Sequence, residues 1–252
     1  MKKKSLEKII LIILGPLSLL AIYFFTANWF FYHQIEISRL QNVELKHKYI
    51  FNESVATSSG IVYAALGDSL TAGVGVADYE QSYPYLLAQK IAGQDTRVTH
   101  LNFSYPGYKT YDLVRDMLPE TVASQPDIIT LLIGVNDVHN NDNRQKFRRN
   151  YEDILQQLSS KTDAKINVIS LPLIGSKYSL WPGYRAYYYS KSLIFNNIIR
   201  ELADKYQVNY IDLTNSTRQY SLTPGYYAVD GFHPADLGYQ YWSQIIYDHL
   251  DK

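Results

Sequence analysis

The sequence predicts an open α/β fold whose sheet holds five parallel strands, set behind an N-terminal apolar helix. Three observations predict it. From residue 61 onward, five short apolar runs alternate with five longer amphipathic ones. The short runs are almost continuously β-branched or aliphatic, as suits strands covered on both faces. Such alternation is what βαβ units with right-handed crossovers produce. The 252 residues are 46% hydrophobic and 19% charged, which suits a globular domain and excludes general disorder.

The elements follow in order. Residues 1–8 form a basic N-terminus carrying Lys2, Lys3, Lys4 and Lys8. Residues 9–32 contain no charged side chain, and as a helix they would span roughly 36 Å against a hydrocarbon core of about 30 Å. Trp29 and Tyr32 sit where an interfacial aromatic belt belongs, and Pro16 is tolerable in such a helix. The lysines predict a cytoplasmic N-terminus, a single-pass anchor and an extracytoplasmic domain. A cleaved signal peptide is the competing reading, although the apolar run is long for one and Phe24 to Asn28 makes a poor cleavage site. Residues 33–60 fit neither apolar period well and read as a stalk of helix or irregular structure.

Residues 61–252 then form the domain. Ile61–Leu66, Arg97–Phe103, Asp127–Ile133, Lys165–Leu171 and Val208–Leu213 read as strands. Helices are expected over 82–92, 110–124, 143–160, 185–206 and 235–250, the last beginning at Pro234, a residue favoured in a first turn. In a sheet of this kind the active site lies beyond the C-terminal ends of the strands.

Composition excludes several functions. Lys+Arg and Asp+Glu both number 24, so no net charge speaks for nucleic acid. Cysteine is absent, which removes disulfides, thiolate metal sites and a cysteine nucleophile.

The residues that carry chemistry sit where that rule points. Ser69 follows the first strand in Gly67-Asp68-Ser69-Leu70. A serine hydroxyl needs a base, and usually a carboxylate behind that base. Taken alone, the segment reads more readily as a turn or helix cap. Of six histidines, His233 alone has a carboxylate, Asp230, at short spacing inside a turn defined by Gly231 and Pro234. That turn can hold one ring nitrogen on Asp230 while the other faces Ser69, or it can be a capped surface turn. Two further loops offer donors for a developing oxyanion. One runs from Asn102 to Gly107, where Gly107 exposes its N–H. The other is Gly134-Val135-Asn136-Asp137, where Asn136 offers a side-chain amide. Singly, these are a glycine turn and an Asx turn.

Together the four segments supply nucleophile, base, orienter and oxyanion donors in order along the chain. This pattern resembles the SGNH, or GDSL-type, hydrolase family, over roughly residues 61–250. Gly67 to Leu70 looks like its first block, Asn102 to Gly107 its second, Gly134 to Asp137 its third, and Asp230 with His233 its fifth. The resemblance implies a three-layer α/β/α, flavodoxin-like fold and hydrolysis of esters or thioesters with no metal and no cofactor. It implies Ser69 as nucleophile, His233 as base and Asp230 as its orienter. The Ser69 and Gly107 N–H groups and the Asn136 amide would form the oxyanion hole. Asp68 and Asp137 are expected to brace loops.

The expected substrate is an acyl ester on a small molecule, lipid or glycan, handled by a monomer. A carbohydrate O-acetyl esterase or acyltransferase is the alternative. The aromatic cluster 178–189 reads as a sugar platform, an acyl cleft, a membrane lip or helix packing, and Tyr220, Tyr226 and Tyr227 pose the same choice. Arg144, Lys146, Arg148 and Arg149 read as a solvated helix face, with lipid-phosphate contact as the alternative.

Overall fold

The structure is a computed structural model that describes residues 2–39, 48–55, 60–173, 175–176 and 182–252, without the side chains of 2–11, 28, 31–32, 34–39, 182 and 184. The chain opens with helix α1 (Lys2–Arg39), which contains the whole uncharged run. Among the described residues no helix is long and apolar enough to cross a membrane.

The domain is a six-stranded sheet in the order β1-β3-β2-β4-β5-β6. Its strands are β1 (Lys48–Phe51), β2 (Ile61–Gly67), β3 (Val98–Ser104), β4 (Ile128–Leu132), β5 (Lys165–Ile169) and β6 (Asn209–Ile211). The last five pair in parallel and match the five strands expected from sequence. The prediction of an all-parallel, five-stranded sheet needs one correction. β1 is a sixth strand, antiparallel to β3, and it comes from the segment read as stalk. Its four residues are too few to show an alternation, and only its pairing with β3 makes it a strand. Tyr49 stacks on Tyr79 at 5.2 Å, and Phe51 meets Tyr85 edge-on at 4.9 Å, which docks the edge strand on the domain. Asn52, in the left-handed region at φ +52°, then turns the chain and donates to the carbonyls of Ala92 and Thr96.

Helices cover both faces of the sheet, so the expected three-layer architecture holds. In chain order they are α2 (Tyr83–Ala92), α3 (Thr110–Asp112), α4 (Leu118–Ala123), α5 (Val135–His139), α6 (Arg144–Lys161), α7 (Pro182–Tyr206), α8 (Leu213–Thr217) and α9 (Asp236–His249). The predicted helix 110–124 is α3 and α4 joined through a wider π turn at Leu113–Met117. One layer is α2 against α9, the other α6 against α7 with α4. α6 shows why these segments fold as they do. Phe147, Tyr151, Ile154, Leu155 and Leu158 recur at helical spacing and are all buried, and the Asn143 side chain caps the first turn.

The order of the parallel strands, β3-β2-β4-β5-β6, is 2-1-3-4-5 counted along the chain. Connections leave β2 and β4 in opposite directions, so the crevice outside their C-terminal ends is the topological switch point. Ser69 follows β2 and Asn136 follows β4.

Candidate active site

Ser69 is held by a tight turn at the end of the central strand. The Thr71 and Ala72 N–H groups donate to the Asp68 carbonyl at 3.1 and 2.9 Å, and the Leu70 N–H donates to the Asp68 side chain at 3.0 Å. A side chain at Gly67 would sit 2.1 Å from the Thr71 hydroxyl and 2.5 Å from the Leu132 carbonyl, so glycine is required just before the turn. Asp68 therefore builds the turn that presents the serine.

Asp230 and His233 share a second tight turn, with Gly231 at φ +62°. One Asp230 oxygen accepts the N–H groups of Phe232 and His233 at 2.8 and 3.0 Å. The other lies 2.6 Å from Nδ1 of His233, whose Nε2 lies 2.9 Å from Oγ of Ser69. With the carboxylate accepting from Nδ1–H, Nε2 is left to accept the serine proton. Ser69 and a pair that follows it by more than 160 positions thus form one hydrogen-bonded chain, and Asp230 and His233 are both 2% exposed. Such burial keeps the interactions away from bulk water, where they are weakest.

The two turns touch through Gly75. At φ +108°, a Cβ there would lie 2.3 Å from the Pro234 carbonyl and 3.0 Å from the His233 Cβ. This glycine lets the serine loop approach the histidine loop. Reading the sequence for catalytic side chains missed it, although Gly73-Val74-Gly75 just after Ser69 was the visible signal.

Gly107 lies on the loop after β3, and Asn136 lies in the first turn of α5, which follows β4; β3 and β4 are the strands on either side of β2. Gly107 takes φ +87°, which favours glycine. The Asn136 amide donates to the Tyr108 carbonyl at 2.9 Å, tying α5 to the Gly107 loop and leaving its second N–H to point elsewhere. Tyr108 had no sequence signal, because a carbonyl contact does not depend on side-chain type. Asp137 accepts from the Thr110 N–H at 3.0 Å and its hydroxyl at 2.7 Å, so it braces the Gly107 loop.

Burial sets the charges around this centre. Asp68 is fully buried and its carboxyl is pushed up to about 7, mainly by desolvation, against the Leu70 N–H and with help from Asp137. Burial also raises Asp137 to about 6 despite the Thr110 bonds. His100 lies inside the sheet, where desolvation lowers it to about 3, and it bonds the Tyr79 hydroxyl at 2.9 Å. It is a core histidine.

The side features resolve toward packing. Of the 178–189 cluster, 178–181 lie outside the described residues. Tyr188 is buried beside His139 at 5.7 Å, and the Tyr187 hydroxyl donates to Asn141. Tyr226 accepts from the Trp242 indole at 2.6 Å, and Tyr220 stacks on Tyr241 at 4.3 Å. In the basic run, Arg148 pairs with Glu201 and Lys146 with Asp142, on an exposed face as expected. A broad groove between α6 and α7 is lined by Arg148, Lys191 and Glu201 and contains none of the five site residues.

Residues 65–241, more than half of the chain, match the family described as GDSL-like lipase/acylhydrolase. No curated protein matches by sequence. Among solved structures, a lipase/acylhydrolase from Enterococcus faecalis is similar at 23% identity and TM-score 0.61, covering 76% of this chain and 97% of its own. The acetyl xylan esterase AlAXEase is similar at 25% identity and TM-score 0.60, over 75% and 98% of the two chains. A psychrotrophic esterase, EstA from Pseudoalteromonas sp., is 17% identical with TM-score 0.59, over 75% and 95%.

Proposed function

Because the chain belongs to the GDSL-like lipase/acylhydrolase family and is a hydrolase of that kind, we propose that it cleaves acyl esters through an acyl-enzyme on Ser69. The observation that carries this reading is the hydrogen-bonded chain from Asp230 through His233 to Ser69. In the first half-reaction Ser69 Oγ attacks the acyl carbonyl while Nε2 of His233 takes the hydroxyl proton. Asp230 holds the ring by Nδ1–H and stabilises the imidazolium that forms. The tetrahedral oxyanion is received by the Ser69 and Gly107 N–H groups and by the Asn136 amide. Collapse breaks the ester bond, and His233 returns its proton to the departing alkoxide. Water then attacks the acyl-enzyme by the same route, releasing the carboxylic acid and restoring the Ser69 hydroxyl.

Hydrolysis of p-nitrophenyl acetate tests the assignment. Ser69→Ala is expected to abolish turnover, and labelling by a fluorophosphonate, while leaving the thermal transition in place. Turnover that survives would overturn it.

A carbohydrate O-acetyl ester is the second reading, favoured by the similarity to an acetyl xylan esterase. Release of acetate from acetylated xylan, compared with transfer to an added sugar, separates hydrolysis from acyl transfer.

The same reading places the enzyme at a membrane, with α1 as its anchor and the catalytic domain outside the cytoplasm. Two features support the anchor. Residues 9–32 carry no charge behind four lysines, and Ile12, Leu14, Leu19, Ile22 and Phe25 of α1 are exposed apolar side chains. Release after signal cleavage is the alternative, and N-terminal sequencing of the exported protein decides between them.

A further inference from the structure

We propose that the catalytic mouth faces the bilayer that holds α1, and that the substrate is an acyl ester borne by a membrane lipid. The inference deepens the hydrolase reading and rests on α1 being the anchor.

It starts from the register of β1. β1 is antiparallel to β3, with Lys48 opposite Leu101 and Phe51 opposite Val98. β3 runs toward Ser104 and the Gly107 loop, so the N-terminal end of β1 lies toward the C-terminal ends of the parallel strands. The chain arriving from α1 therefore joins the domain at the same end of the sheet as Ser69. Had β1 been parallel to β3, it would have joined at the opposite end.

Chain length makes this placement consequential. Eight residues, 40–47, separate Arg39 from Lys48, and fully extended they reach about 30 Å. Helix α1 runs seven residues past the apolar stretch, from 33 to 39, which adds about 10 Å. A tether this short, fixed at the mouth end, keeps that end the nearer one to the membrane. Its fixed end is not loose, because Tyr49 is clamped between Tyr79 and Tyr85, each with ring centres 5.2 Å away.

The rim has the chemistry for such a neighbour. Val229, next to Asp230, is 84% exposed, and Tyr105, two residues before Gly107, is 51% exposed. Apolar and amphipathic aromatic side chains at this level suit a lipid surface. Lys48, exposed at the N-terminal end of β1, suits anionic headgroups.

The test uses the full chain reconstituted in vesicles of phosphatidylcholine and phosphatidylglycerol that carry a phosphatidylcholine with a fluorogenic acyl chain. Turnover of that lipid is compared with turnover of p-nitrophenyl acetate in the same vesicles. Inserting about twenty residues of Glu-Ala-Ala-Ala-Lys repeats between Val43 and Glu44 lengthens the tether by roughly 30 Å. Lipid turnover is expected to fall at least about fivefold, since effective concentration drops steeply with tether length, while acetate-ester turnover stays the same. Val229→Asp is expected to act in the same direction. Lipid turnover unaffected by the insertion overturns the proposal, as does hydrolysis of acetylated xylan with none of the lipid ester. Flotation of the chain with the vesicles separates the failures. A chain that does not float removes the anchor, and this inference with it. One that floats and cleaves the acetate ester, yet ignores the insertion, removes this inference alone. Loss of both activities in the unmodified chain removes the hydrolase reading.

Discussion

Asp230 grips His233 at two points with the two oxygens of one carboxylate, the backbone N–H at 3.0 Å and ring Nδ1 at 2.6 Å. The first contact sets the turn and the second sets the ring, so local folding and tautomer depend on the same side chain. Asp230→Asn separates the two functions. An asparagine carbonyl can still accept the backbone N–H groups, but its amide N–H₂ would face Nδ1 and favour the other tautomer. We expect kcat to fall by up to about 10⁴-fold with the melting temperature little changed, as equivalent changes do in serine hydrolases. A loss confined to KM in p-nitrophenyl ester kinetics would rule out this role for Asp230.

Asn136 is expected to act only in the transition state. Removal of one oxyanion donor costs roughly 2.7–4 kcal/mol, or about 10² to 10³ in kcat. Asn136→Ala should show that loss in kcat with KM nearly unchanged. Because the amide also bonds the Tyr108 carbonyl, Asn136→Asp is a useful companion. It keeps the size and offers no donor, and it should be at least as slow.

Much of the candidate site could be read from the sequence because the chemistry proposed for it depends on residue type. A nucleophile, a base and a carboxylate are recognisable by identity, and Gly231 and Pro234 mark the turn that aims two of them. The five parallel strands were legible for a similar reason, since burial on both faces demands apolar runs such as Ile128 to Leu132. What escaped depends on backbone and register. β1 is four residues long and has meaning only beside β3. The Tyr108 carbonyl would be present whatever the side chain. Gly75 matters through what a Cβ would strike, and that is a property of the folded chain alone.

The docking of β1 gives a stability prediction. Tyr49 and Phe51 pack on Tyr79 and Tyr85, and β1 covers the edge of β3, which would otherwise expose unpaired backbone. A chain beginning at residue 46 is expected to fold, whereas one beginning at 55 should lose at least about 2 kcal/mol, given typical costs of truncating packed aromatics. Urea denaturation of the two chains measures the difference. Equal midpoints would mean that β1 contributes nothing to the domain.

The last prediction concerns pH, and Asp68 decides its sign. Its carboxyl rises from the ordinary carboxylate range to about 7 in the fold, because burial disfavours the charge. Folded protein therefore holds a proton that the unfolded chain gives up between pH ~4 and ~7, so this residue's contribution to stability falls as pH rises through that window. Asp137, raised to about 6, acts in the same direction. Asp68→Asn removes the ionisation and keeps an oxygen to accept the Leu70 N–H. Relative to the native chain, the variant is expected to be more stable at pH 8, by a few kcal/mol at most, with the advantage fading toward pH 4. Thermal denaturation across that range reads the effect. An advantage that grows as pH falls would show that Asp68 is stabilised as the anion, and the buried carboxyl would then be a conventional charged brace for the Ser69 turn.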